Sequence, residues 1–145
     1  MELWELAARE SIRDTIAGYT YYADRGMWDH LLAMFADDGV LEVEGEPPQA
    51  GRAALDAFFR GVNRDLRDSD TVSMRHHVSS VRIDVRSPTE ASASAYFLVV
   101  TDAGVDHWGR YRDRLVPSGN RWVFAHRFVR TDGRVPGGWA DRRQE

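Results

Sequence analysis

The chain contains no cysteine, so it has no disulfide framework, no thiol nucleophile and none of the usual soft ligands of a structural zinc site. It begins without a basic N-terminal region, and no apolar run approaches the roughly 18 residues that a membrane span needs. Basic residues are fewer than acidic ones, and the net charge of -4 disfavours a phosphate-binding surface. We therefore expect a cytoplasmic protein that binds neither nucleic acid nor membrane.

The length and composition favour one folded domain. A chain of 145 residues is long enough to bury a core, and five Trp, five Tyr and six Phe could line a cavity as well as fill that core. We predict a single domain over residues 1–145, of which 131–145 form a C-terminal tail. His30, His107 and His126 show no ligand spacing within one helix, so we predict no metal site.

The hydrophobic periodicity changes along the chain from helical to extended. Apolar residues at helical spacing predict three helices, over 3–24, 27–36 and 52–66. After a short extended segment at 40–44 and the third helix, alternation predicts four long strands, over 74–86, 90–101, 106–116 and 121–131. We therefore predict an α+β cone, in which the helices pack on one face of a curved antiparallel sheet of four to six strands and a cavity lies between the layers.

Asp24 falls in the last turn of the first predicted helix, where the helix dipole disfavours a carboxylate. Since this position is poor for helix stability, it suggests another use; the alternative is a solvated residue or a cap of the next helix. In the first long strand, His77 alternates with Val81 and Ile83. We therefore expect His77 to point inward and His76 outward, unless the strand contains a bulge.

An inward histidine near an inward aspartate predicts a dyad in which the carboxylate orients a base. His77 would be that base and Asp24 its partner. Tyr19 lies just over one helical turn before Asp24, and alternation in the last strand places Arg130 on the same face as Phe128. The alternatives stay open at this point: a core histidine, a packed tyrosine and a surface arginine.

The order of these parts resembles the SnoaL-like branch of the nuclear transport factor 2-like superfamily. The resemblance spans roughly residues 5 to 131 and rests on short motifs in order, among them Tyr19-x-x-x-x-Asp24-x-x-x-Trp28-Asp29, Arg75-His76-His77-Val78, Gly109-Arg110-Tyr111-x-Asp113-Arg114 and Trp122-x-x-x-His126-Arg127. It implies a cone-shaped α+β barrel, with three N-terminal helices packed on a curved antiparallel sheet.

The resemblance also implies a site. The catalytic residues of the family's dehydratases and dehydrochlorinase, which work without a cofactor, would correspond to Asp24, Tyr19, Arg130 and His77, or to His76 in a shifted alignment. We expect His76 otherwise to bind substrate, together with Trp28, Tyr96, Tyr111 and Phe128. No cofactor is expected.

These observations predict a cofactor-independent lyase that acts on a hydrophobic small molecule. A polyketide cyclase or ketosteroid-isomerase-like enzyme is one alternative, and a non-catalytic ligand-binding or assembly domain is another. The arginine-rich face around Trp108, and Trp139 in the tail, would suit assembly. We expect a homodimer or a higher homo-oligomer formed through the sheet.

Overall fold

A computed structural model describes residues 1–144. In chain order the elements are α1 (Leu3–Arg25), α2 (Trp28–Leu32), β1 (Phe35–Val43), β2 (Gln49–Ala50), α3 (Arg52–Arg67), β3 (Met74–Ser87), β4 (Glu90–Thr101), β5 (Gly104–Ser118), β6 (Arg121–Arg134) and α4 (Trp139–Arg142). None of the helices in this range has the length and apolar character that crossing a membrane requires.

The six strands form one curved, unclosed sheet in the order β2-β1-β6-β5-β4-β3. Strands β3 to β6 make an antiparallel meander, as their short turns favour. Strand β1 adds to the other side of β6 in parallel, and β2 pairs with β1 in antiparallel fashion. The predicted α+β fold is confirmed, with one parallel pair inside an otherwise antiparallel sheet.

Helix α1 packs across the inner face of the sheet and supplies much of the core. Ile12 and Ile16 are almost fully buried, and Tyr19 follows them one turn later. Apolar residues at this spacing form the stripe that a helix needs to cover a sheet. Leu3 and Leu6, which continue the stripe in sequence, lie beyond the edge of the sheet and are exposed. The buried residues of α1 therefore begin at Ala8, and they end at Thr20, one turn before Asp24.

Two segments differ from the sequence prediction. The second helix ends at Leu32 and not at residue 36, because the chain enters the sheet early: Met34 accepts a hydrogen bond from the Phe124 amide at 2.8 Å. The predicted tail is ordered as well. Residues 132–134 extend β6, and Trp139 begins α4 with only 6% of its surface exposed.

A bulge in β3 reverses the alternation of side chains. Ser79 pairs with Tyr96, whereas Arg82 pairs with Ser94, so β3 carries one extra residue between these pairs. Ser80 lies there with φ of 53°, the one positive φ of a non-glycine residue within 1–144. A one-residue insertion exchanges the two faces of a strand. Alternation counted back from Val81 and Ile83 therefore predicts the wrong face of the sheet for the side chains before Ser80.

Strand β6 contains a second bulge of the same kind. Leu115 pairs with Phe124, but the preceding Arg114 pairs with His126, which leaves Ala125 as the extra residue. Phe124 is completely buried, and after the bulge it is Arg127 that returns to the inner face. The second half of β6 is thus shifted by one position.

Candidate functional site

Asp24 and His76 form a close pair between the end of α1 and the start of β3. The Asp24 Oδ1 atom lies 2.6 Å from His76 Nδ1, and Oδ2 accepts the backbone N–H of His76 at 2.8 Å. Gly26, with φ of 68°, ends the helix two residues after Asp24. Because a carboxylate only accepts hydrogen bonds, the proton sits on Nδ1 and the Nε2 lone pair is free to act as a base.

The predicted orientation of the two adjacent histidines is wrong. His77 is exposed on the outer face of the sheet, while the His76 side chain is 21% exposed and points inward with Met74 and Val78. The bulge at Ser80 is the cause, since it separates these residues from Val81 and the inner face of the later strand. The structure therefore brings Asp24 together with His76.

Arg130 is also placed differently from the prediction. It is exposed on the outer face, with Nε 3.4 Å from Asp132 and 3.7 Å from Glu44. The bulge at Ala125 accounts for this placement. Arg127 occupies the inner face instead.

Tyr96 and Phe128, predicted to bind substrate, lie on the outer face as well. Tyr96 is 56% exposed, and the guanidinium of Arg112 stacks over the Phe128 ring with 5.2 Å to its centroid. In β4 the inner positions are held by small or apolar side chains such as Ala95 and Phe97, which leaves Tyr96 on the other side. Neither ring can contact a molecule bound under the helices.

A partly open cavity of about 190 Å³ lies between the helices and the inner face of the sheet, and it adjoins His76. Its apolar wall includes Phe58, Met74, Phe97, Val129 and Trp139, and its polar side chains include Tyr19, His76, His107 and Tyr111. A neighbouring cavity of about 240 Å³ is bordered by Asp24, Trp28, Phe59 and again His76. His76 thus borders both spaces, and of the expected substrate-binding residues Trp28 and Tyr111 also line them.

The two tyrosines of the cavity keep their protons at neutral pH. Burial raises the pKa of Tyr19 to about 12 and that of Tyr111 well above its ordinary value. Neither hydroxyl bonds to another residue within 1–144. Both phenols are therefore available as hydrogen-bond donors to a bound molecule.

A buried ion pair supports these rings from the sheet side. Arg127 donates two hydrogen bonds to Asp113, from Nε at 2.8 Å and from Nη2 at 3.0 Å, and both side chains are fully buried. Its guanidinium carbon lies 3.8 Å from the ring centroid of Tyr111 and 4.3 Å from that of Tyr19. Burial alone would lower the pKa of Arg127, but the charge of Asp113 raises it above the ordinary value.

A second carboxylate–histidine pair was missed at the sequence level. His107 Nδ1 lies 2.7 Å from Asp106 Oδ2, and the ring borders the same cavity as His76. Burial lowers the pKa of His107 below its ordinary value, although Asp106 favours the protonated ring. The only signal in the sequence is an acid next to a histidine within a strand. Within residues 1–144, no three His, Asp or Glu side chains are grouped closely enough to hold a metal ion.

The sequence matches the SnoaL-like domain family over residues 4–128. No curated protein matches it. Among solved structures it is similar to a provisionally named scytalone dehydratase from Novosphingobium aromaticivorans DSM 12444, with 24% identity, a TM-score of 0.78 and 95% of each chain covered.

Two further structures show the same architecture. An NTF2-like protein with a cystatin-like fold, also from Novosphingobium aromaticivorans, is 25% identical with a TM-score of 0.76 and covers 95% of this chain and 88% of its own. LinA is 20% identical with a TM-score of 0.78, over 93% of this chain and 94% of its own. The family and the cavity between the helices and the sheet support a small-molecule-binding or catalytic domain. The chain belongs to the SnoaL-like domain family.

Proposed function

We propose that this protein is a cofactor-independent lyase that removes water or a comparable leaving group from a small cyclic compound, with His76 as the base. The observation that carries the proposal is the Asp24–His76 pair at the edge of a partly open, largely apolar cavity. Asp24 holds both the ring and the backbone of His76, so the base is positioned before substrate binds. With its Nδ1 proton held by Asp24, the imidazole of His76 presents Nε2 as a proton acceptor.

The elimination can be written with His76 as the only residue that exchanges a proton. Nε2 takes a proton from the carbon next to a carbonyl, the electron pair forms a carbon–carbon double bond, and the bond from the neighbouring carbon to the leaving oxygen breaks. The protonated His76 returns its proton to that oxygen, which leaves as water. Tyr19 or Tyr111 donates a hydrogen bond to the carbonyl oxygen, where negative charge develops.

The size of the cavity limits the substrate. A cavity of roughly 150 Å³ accommodates one benzene molecule, and the space here is about 190 Å³. Together with the neighbouring space of about 240 Å³, which His76 also borders, the cavity suits a compound of one or two six-membered rings. Arg127 is hidden behind the tyrosine rings, so its charge is not offered to the ligand, and a neutral substrate fits better than an anionic one.

The similar structures support the same class of activity. The name of one includes scytalone dehydratase, and LinA shares the fold. At these identities the likeness concerns the fold, so the proposal depends on the pair and the cavity of this chain.

The direct experiment is incubation with scytalone and with a β-hydroxycyclohexanone, followed by mass spectrometry of the products. We expect loss of one water from at least one of these probes and none in the absence of protein. A product of unchanged mass would support the isomerase or cyclase alternative. Binding of the ring compounds without turnover would contradict the lyase proposal and support a non-catalytic ligand-binding domain.

We further propose that two copies associate through the outer face of the sheet. Leu98 pairs with Trp108 on adjacent strands, and both side chains are more than a third exposed. Neighbouring exposed apolar side chains of this kind are typical of interfaces. Sedimentation analysis should show a dimer that Trp108→Glu dissociates, whereas Trp4→Glu, at an equally exposed position of α1, leaves it intact. A monomeric wild type would contradict this association.

A further inference from the structure

Helix α4 forms one wall of the cavity and is attached through Asp106. The carboxylate of Asp106 accepts the backbone N–H of Trp139 on Oδ1 at 2.6 Å and that of Ala140 on Oδ2 at 3.1 Å. The same Oδ2 atom accepts the proton of His107 Nδ1 at 2.7 Å. One carboxylate therefore connects the end of the chain with a histidine of the cavity.

The strand geometry makes this connection possible. Val99 pairs with His107 but Val100 pairs with Val105, so Asp106 is an extra residue in β5. Its side chain is 3% exposed even though its neighbour His107 borders the cavity. A buried carboxylate requires donors for its oxygens, and here α4 and His107 supply them.

Gly138 shows how closely α4 approaches this carboxylate. A Cβ atom at this position would lie 2.7 Å from Asp106 Oδ1, although the backbone of Gly138 is in an ordinary extended conformation. A side chain here is excluded by the neighbouring oxygen and not by backbone strain. Helix α4 is also held by Trp139, whose side chain packs in the hydrophobic core with 6% of its surface exposed. Its other attachments are exposed ion pairs, for example Arg134 with Asp141 at 3.1 Å, which stabilise little.

We propose that α4 is a closing wall of the cavity and that Asp106 is a positioning residue, which fixes the proton of His107 on Nδ1 only while α4 is docked. This inference rests on the proposed function, because it gives His107 Nε2 a role as a second acceptor facing the substrate. Docking of α4 and placement of the His107 proton on Nδ1 are then coupled through the Asp106 carboxylate. The factor by which docking of α4 favours the Nδ1–H tautomer should equal the factor by which that tautomer favours docking.

The charges around His107 agree with this coupling. Burial has the largest effect on the pKa of His107 and lowers it. His76 from β3 and Arg143 after α4 also disfavour the protonated ring, while Asp106 favours it. Lifting α4 would expose the ring and remove Arg143 from its side. The pKa of His107 should then rise towards its ordinary value.

An Asp106→Asn variant separates the two attachments. An amide has one accepting oxygen, so it can accept either from Trp139 at the Oδ1 position or from His107 at the Oδ2 position. In the first case its NH₂ group faces His107 Nδ1 and favours the opposite tautomer. In the second case its NH₂ group faces the Trp139 N–H and pushes α4 away.

The test is NMR on the full chain, with two readouts: the ¹⁵N shifts that report the His107 tautomer, and hydrogen exchange of the Trp139 and Ala140 amides. Gly138→Ala is the second variant, since it displaces α4 while it keeps Asp106. Asp132→Asn on the outer face is the matched control. Circular dichroism establishes that each variant is folded.

We expect wild type and the control to show a single Nδ1–H tautomer and protected amides. Gly138→Ala should speed exchange of both amides at least about tenfold and mix the tautomers of His107, and Asp106→Asn should change at least one readout. Faster exchange in Gly138→Ala with an unchanged tautomer would overturn the proposal, because Asp106 would then only cap α4. An unchanged Gly138→Ala would overturn it too. Neither readout needs turnover, so failure of the lyase proposal would be seen separately.

Discussion

The two carboxylate–histidine pairs of the cavity are alike in chemistry and different in construction. Asp24 lies 52 residues before His76 and joins α1 to β3, two elements that pack together over the core. Asp106 directly precedes His107 and shares its carboxylate with the short helix α4. The first pair is therefore preorganised by the fold, whereas the second pair depends on the end of the chain. We therefore assign the base to the first pair.

The largest effect expected is on catalysis when the first pair is broken. His76→Gln keeps much of the volume and polarity of the side chain but removes the base, so kcat on the substrate identified should fall by about 10²- to 10⁴-fold. His77→Gln is the matched control and should stay close to wild type, since His77 is exposed on the outer face. Steady-state kinetics of the two variants measure the difference. Equal losses in both would remove the distinction between the adjacent histidines.

The buried ion pair of Asp113 and Arg127 differs from both histidine pairs because it does not border the cavity. Arg127→Met leaves a buried carboxylate unpaired and should lower the free energy of unfolding by about 3–5 kcal/mol. Adding Asp113→Leu should restore most of that loss, since no buried charge remains. Denaturant unfolding gives these values, and Arg130→Met on the outer face should change them by no more than about 0.5 kcal/mol. A stable Arg127→Met protein would show that the pair does not hold the core.

The tyrosine hydroxyl next to the first pair should matter for rate and little for stability. Tyr19→Phe keeps the ring over Arg127 and removes only a hydroxyl without a protein partner, so kcat should fall by about 10²- to 10³-fold. Tyr111→Phe is the comparison that shows which phenol donates to the substrate. If neither substitution changes kcat, the carbonyl is polarised by some other group.

The smallest effect expected is the pH dependence contributed by the second pair. Because the pKa of His107 is lowered on folding, the unfolded chain binds more protons than the folded one. The stability should therefore fall as the pH drops below about 6.5, the ordinary pKa of histidine, and level off below the lowered value. His107→Gln should remove this part of the curve in denaturant titrations at several pH values. A His107→Gln curve that matches wild type through this range would contradict the assignment.

The fold could be predicted from the sequence because its local signals agree with one another. Helical spacing around Ile12 and Ile16 and strict alternation through Ala91 to Thr101 each report burial on one face. Asp24 could be identified because its position costs helix stability. The α4 segment could not be predicted, since four residues carry no helical periodicity and Asp106, which accepts the Trp139 amide, lies 33 residues earlier in the chain.

Alternation predicts the face to which each site residue points only as far as the bulges in β3 and β6. Ser80 is an extra residue in β3, and it places His76 on the inner face, where uninterrupted alternation would place His77. Ala125 is an extra residue in β6, and it places Arg127 there in place of Arg130. Neither residue is a glycine or a proline, so the sequence carries no warning. The pair of Asp106 and His107 escapes prediction for the same reason, because alternation places neighbouring residues on opposite faces.

The most direct test of the account is a crystal structure with cyclohexenone, the product of water loss from a β-hydroxycyclohexanone. We predict that the ring lies in the inner cavity, with its carbon next to the carbonyl facing His76 Nε2 and its oxygen within hydrogen-bond distance of Tyr19 or Tyr111. A ring bound only on the outer face near Tyr96 and Phe128, or beside His77, would contradict it.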